Sequence, residues 1–95
     1  GPAYVCRLVE AMAAAGVKAG LPADMSMRLA RATVAGSGEL LRRSSEPAAQ
    51  LRQNVTSPGG TTAEALKVLM ADPGVQRIFD QAIAAATRRS RELAG

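Results

Sequence analysis

Between Leu21-Pro22 and about Arg43 the chain repeats small and apolar residues on two helical faces at once, and that double stripe limits the folds open to it. One face runs Met25-Leu29-Ala32-Gly36-Leu40, the other Met27-Ala30-Val34-Ser37-Leu41. A helix apolar on one side needs one neighbour, and a helix apolar on two sides needs neighbours on both. Gly36 and Gly38 sharpen the demand. Glycine in a helix interior costs about 1 kcal/mol against alanine, and close approach of another helix is the most direct compensation. Every other long segment repeats at the helical period, and none alternates as a strand would. The expected fold is all-α, a helical bundle of about five helices.

Turn chemistry sets the boundaries. A first helix is expected from Pro2 to about Ala19, with Val5, Leu8, Val9, Met12, Gly16 and Ala19 on one face and Gly20 as its stop. Ser44-Ser45-Glu46-Pro47 ends the second helix and starts a short third one, about Pro47 to Gln53, with Ser45 as its cap. A fourth helix, about Thr62 to Ala71, is expected to bury Ala63, Leu66, Leu69 and Met70. Asp72-Pro73-Gly74 breaks it, and the last helix runs from Val75 to about Leu93 with a stripe of Val75, Ile78, Phe79, Ala82, Ile83, Ala86 and Leu93. There is no internal repeat and no low-complexity linker, so residues 1–95 read as one domain.

That domain has little bulk with which to build a core. Of 95 residues 47% are hydrophobic, but only Tyr4 and Phe79 are aromatic and twenty residues are alanine. Each buried Leu- or Ile-sized side chain contributes only about 1.5–3 kcal/mol, and a chain this short sits where a single core is only just dependable. A lone copy is therefore expected to be marginal, and a second copy covering the exposed helix faces is the physical remedy.

The same composition excludes several functions. Cys6 has no second cysteine and the chain has no histidine, so no internal disulfide, Cys/His metal site or Ser/His/Asp set can be drawn. No metal is implied. Cys6 reads as a small core hydrophobe suited to the cytoplasm. No segment has the apolar length of a membrane span, and no signal-peptide pattern is present. The net charge of +4 comes from cations spread over several helices. Arg42-Arg43 and Arg88-Arg89-Arg91 sit near helix ends, where they favour the negative pole. With no basic stripe and no Trp, neither nucleic acid nor a membrane is an expected partner.

The run Asn54-Val55-Thr56-Ser57-Pro58-Gly59-Gly60-Thr61-Thr62 carries the chemistry. Pro58 presets φ near −65° and Gly59 can take the positive φ that the next turn position often requires. Thr61 and Glu64 stand at capping-box spacing, which makes Thr61 the N-cap and Thr62 the first helical residue. A helix start of this kind offers unpaired N–H donors and the positive pole of the dipole to an anion, with the Ser57 and Thr62 hydroxyls beside it. The pattern alone leaves two readings open. Ser-Pro-Gly-Gly is also an ordinary interhelical turn, and Thr-Thr-Ala-Glu an ordinary helix start.

The segment resembles the signature of the pyrroline-5-carboxylate reductase family. Gly1-Pro2-Ala3-Tyr4 is similar to the hinge that opens that family's C-terminal domain. Val17-Lys18-Ala19-Gly20-Leu21-Pro22 and Arg88-Arg89-Ser90-Arg91-Glu92-Leu93 also fall where the family has similar residues, so the likeness covers essentially all 95 residues. One departure is Pro73-Gly74-Val75, where the family usually has a Gly-Gly-Phe turn; the turn chemistry survives without the aromatic anchor.

The resemblance implies a C-terminal dimerisation and substrate-binding domain at 1–95, forming an interlocked homodimer, with some members assembling larger rings of dimers. It implies a small-molecule substrate, Δ1-pyrroline-5-carboxylate, reduced to proline with NADPH or NADH. Gly60, Thr61 and Thr62 N–H groups are candidates for its carboxylate, with Ser57 beside them and Gly59 and Gly60 leaving room for approach. Thr62 matches the threonine whose hydroxyl meets the ring nitrogen, and Val55 lines the pocket. The family's dinucleotide-binding domain precedes this one, so these residues alone are expected to bind no cofactor and to be inactive. The alternatives are a non-catalytic helical oligomerisation module and the C-terminal domain of another hydride-transfer dehydrogenase.

Overall fold

The computed structural model describes residues 1–95 as five helices and no strands: α1 Pro2–Lys18, α2 Ala23–Arg43, α3 Ala48–Asn54, α4 Thr61–Leu69 and α5 Val75–Ala94. The chain divides into two compact units, Gly1–Ala48 and Ala49–Gly95.

In the first unit, α1 ends as its sequence predicts. Gly20 adopts φ +110°; its N–H donates to Val17 O (3.0 Å) and the Leu21 N–H donates to Gly16 O (3.0 Å). This is the Schellman arrangement, which needs a residue tolerant of positive φ after the helix. The chain reverses there and α2 packs back along α1. The contact is tight because both surfaces are small. Ala13 and Ala30 are buried, and Ser26 is buried with its hydroxyl donating to Ala13 O at 2.6 Å. Gly16 leaves the space that Ser26 occupies: a Cβ there would run into Ser26 Oγ and stand 3.2 Å from Ser26 Cβ.

Only one of the two expected faces of α2 finds a neighbour in its own chain. Ala30 is buried and Val34 half-buried, but Met25, Leu29 and Leu40 are exposed. Gly36 and Gly38 both face open space. Neighbours on both sides are thus not supplied within this unit, where α1 is the helix that packs along α2 and Leu29, Leu40 and Leu41 stay exposed. Cys6 corrects a second expectation: it is exposed rather than a core residue, since the α1 face that carries it stands open.

The second unit has still less interior. Leu51 on α3 is its one buried residue. On α4, Ala63 and Leu66 are half-buried, whereas Leu69 and Met70 are exposed, against the expected burial of all four. The α5 stripe is also open: Phe79 is half-buried, but Ile78 is 65% and Leu93 72% exposed. Surface ion pairs do not replace the missing core, as exposed pairs contribute about 0–1 kcal/mol each. The densest group is Glu39 with Arg42 (2.7 Å) and Arg43 (2.6 Å). There, Arg42 first and then Arg43 hold the Glu39 carboxyl below the ordinary range, and Glu39 raises Arg42 in return. No helix is long and apolar enough to cross a membrane.

The connection between α2 and α3 differs in one detail from expectation. The Ser44 hydroxyl, not that of Ser45, accepts the Glu46 N–H at 3.1 Å. Ser44 has left the helix with extended backbone, φ −102° and ψ 140°, which brings its hydroxyl to the amide two residues on.

Candidate functional site

The loop between α3 and α4 is built from both ends. At its start, Val55 N–H donates to Arg52 O (3.3 Å), Thr56 N–H to Gln53 O (3.1 Å) and the Thr56 hydroxyl to Arg52 O (2.6 Å). These bonds close the C-terminal turn of α3 and fix where the loop departs. Ser57-Pro58-Gly59-Gly60 then forms a turn, with Gly60 N–H donating to Ser57 O at 3.0 Å. Gly59 takes φ +71°, a conformation that costs a residue with a Cβ about 1–2 kcal/mol. A Cβ on Gly60 would lie 3.2 Å from Ser57 O. The turn itself therefore calls for glycine at 59, and at 60 a side chain would crowd Ser57 O; both leave the backbone bare.

The helix start differs from the expectation drawn from Thr61 and Glu64. The N-cap is Gly60, with extended backbone at φ −85° and ψ −178°, and α4 begins at Thr61. No side chain caps it. With the cap one residue earlier, Glu64 falls at the fourth helical position, out of capping-box register. Its carboxylate instead accepts from Lys67 Nζ at 2.8 Å. The first intrahelical bond is Glu64 N–H to Gly60 O, at 3.3 Å.

This register corrects the donor set. The Gly60 N–H is used in the turn and is not free for a ligand. Thr61, Thr62 and Ala63 lie before the first intrahelical bond, so theirs are the uncapped N–H groups at the positive end of the helix. Ala63 is the donor that residue-by-residue reasoning missed; its only signal was a helix starting one residue sooner. The Ser57, Thr61 and Thr62 side chains are exposed and make no hydrogen bond within the chain. Val55, at the loop's start, is 65% exposed. What the arrangement can do is bind a small anion on backbone amides and present hydroxyls next to it.

A family model for pyrroline-5-carboxylate reductase dimerisation matches residues 1–93. The chain is 46% identical over 98% of its length to a pyrroline-5-carboxylate reductase of Synechocystis, of which it covers 34%. It is 46% identical over 97% of its length to that of Thermus thermophilus, also covering 34%. It is 44% identical over 98% of its length to that of Mycobacterium leprae, covering 37%. Among solved structures, a crystal structure of Plasmodium falciparum pyrroline carboxylate reductase with NADP bound matches all of the chain with a TM-score of 0.91 and 37% identity. The match takes up 36% of that chain. This chain spans about a third of the length of the relatives it matches. The helix order, the glycine turn and these likenesses lead to one conclusion: the chain belongs to the pyrroline-5-carboxylate reductase dimerisation family.

Proposed function

We propose that these residues are the dimerisation and substrate-binding domain of a pyrroline-5-carboxylate reductase, which reduces Δ1-pyrroline-5-carboxylate to L-proline with NADPH or NADH. The observation that carries the reading is the uncapped start of α4, held by the Ser57–Gly60 turn with free hydroxyls on both sides. The Thr61, Thr62 and Ala63 amides grip the substrate carboxylate, an interaction favoured by the helix dipole. Ser57 Oγ stands beside it as a further donor. Thr62 Oγ1 donates a hydrogen bond to the ring nitrogen, where negative charge gathers as the C=N bond is reduced. A threonine hydroxyl titrates far above neutral pH, so Thr62 is no free-standing acid: it donates a hydrogen bond to the nitrogen or relays to it the proton, taken from water, that completes the amine. Val55 supplies an apolar side to the pocket.

The cofactor supplies the hydride when bound. The five helices contain no strand followed by a glycine-rich phosphate turn, so these residues do not form a dinucleotide cradle. They hold and orient the substrate, and the isolated domain is inactive.

Homodimer formation is the second part of the proposal. Its support is the uncovered face of α2, where Leu29 and Leu40 are exposed and Gly36 and Gly38 face open space, and the open stripe of α5. Exposed apolar area on this scale marks an interface. Light scattering should return the mass of a dimer, or a multiple of it for a ring of dimers. The free thiol of Cys6 fits a reducing compartment, and the cytoplasm is the proposed location.

Thr62→Ala in the complete enzyme tests the chemistry. Loss of one transition-state hydrogen bond should lower kcat by about 10²–10³-fold while the fold stays intact. Unchanged turnover would return the loop to the role of a plain turn.

A further inference from the structure

We propose that Thr56 is a positioning residue that acts through Ser57: its hydroxyl closes the end of α3 and so sets where the Ser57 hydroxyl meets the substrate carboxylate. The inference rests on the function proposed above and adds a residue to it.

Thr33, Thr56 and Thr87 each donate to the carbonyl four residues back, at 2.7, 2.6 and 2.8 Å. Thr33 and Thr87 are exposed and lie inside α2 and α5, where this bond is an ordinary habit of a helical threonine. Thr56 is different. It stands beyond Asn54, the last residue of α3, and its bond is half-buried. Had the helix continued, Arg52 O would accept the Thr56 N–H. That N–H turns instead to Gln53 O at 3.1 Å, and the hydroxyl takes the Arg52 carbonyl. The side chain thus replaces a backbone donor that the helix end has lost. The carbonyl it holds adjoins Leu51, the buried residue of α3, so the loop departs from the best-held point of that helix.

Ser57 has no comparable hold of its own. Its side chain is exposed and makes no hydrogen bond within the chain, so its backbone alone decides where the hydroxyl stands. From the α4 side, Gly60 N–H donates to Ser57 O at 3.0 Å, and Pro58 narrows the conformations open to the residue before it. From the α3 side there are two backbone bonds, Val55 N–H to Arg52 O at 3.3 Å and Thr56 N–H to Gln53 O at 3.1 Å, and the hydroxyl bond is the shortest of the three. Removing it frees the α3 end to fray and carries Ser57 away, while the Thr61, Thr62 and Ala63 amides stay with α4. The carboxylate is gripped alike in the substrate and in the transition state. Its loss therefore raises KM and leaves kcat nearly unchanged.

Steady-state kinetics of the complete enzyme test this. Thr56→Val keeps the shape and removes the donor, and should raise KM for pyrroline-5-carboxylate about five- to tenfold, with kcat within about twofold of the parent. Thr56→Ser keeps the hydroxyl and should bring KM back to within about twofold. In a Ser57→Ala background, Thr56→Val should change KM by less than about twofold, because the group it positions is gone. Circular dichroism checks the fold; should Thr56→Val not fold, Thr56→Ala takes its place with the same expectations. A lower Tm and less active enzyme at an unaltered KM would make Thr56 structural only and overturn the proposal. A KM effect that persists in full without the Ser57 hydroxyl would overturn it too. Thr62→Ala distinguishes the two levels: normal turnover there removes the substrate role of the loop altogether, whereas lost turnover beside an indifferent Thr56→Val removes the positioning role alone.

Discussion

Ser26 and Gly16 show how this chain makes a close contact without bulk. The buried hydroxyl reaches a backbone carbonyl, Ala13 O, at 2.6 Å, and the missing side chain at 16 is what admits it. Gly16→Ala gains helix propensity of about 1 kcal/mol but drives a methyl group into Ser26, and overpacking costs about 1–3 kcal/mol. The expected net is a lower Tm for the single variant. Ser26→Ala removes one hydrogen bond, worth about 0.5–1.5 kcal/mol, and also removes the closest obstruction. Thermal melts of Gly16→Ala, Ser26→Ala and the double should therefore show strong coupling, with the double less damaged than the sum. Additive losses would mean that the two positions do not share a space. Gly16 was visible in the sequence as a small residue on an apolar face. Ser26 was not, because a serine adjoining a hydrophobic stripe looks like surface until the helix crossing is known.

Among the elements, α1 ended where its sequence indicated and α4 began one residue early. The first is the simpler problem: a glycine directly after a periodic run has one common use, and Gly20 fills it. The start of α4 offered two competing signals, the Thr61–Glu64 spacing and the bare Gly60, and the turn resolved them. Once Gly60 N–H closes on Ser57 O, its extended backbone is already that of an N-cap, leaving no place for Thr61 in that role. The element-level prediction follows from Gly59. With φ at +71°, Gly59→Ala should cost about 1–2 kcal/mol locally and misplace the amides that follow. On the proposed function, KM for pyrroline-5-carboxylate in the complete enzyme should rise severalfold, with a smaller change in helicity. An unaltered KM would argue that the turn does not position the substrate.

For the molecule as a whole, the helices and their apolar faces were legible, and the occupants of those faces were not. Periodicity records that Leu29, Leu40, Ile78 and Leu93 want cover; it does not record whose residues provide it. One chain covers almost none of them. Stability drawn from association depends on concentration by mass action. Raising the chain from about 1 to 100 μM should accordingly raise Tm by several degrees, a shift that differential scanning calorimetry detects; a constant Tm over that range would point to a self-sufficient monomer.

The α1–α2 hairpin closes over little chain, with Ser26 and Ala13 only thirteen residues apart. Contacts this near in sequence form early and quickly. During synthesis the hairpin can finish while the residues after Arg43 are still leaving the ribosome, and it then stands as a half-built socket. On the proposed dimer its completion is a meeting between two molecules, and the supply of working protein then grows more steeply than the supply of newly made chain.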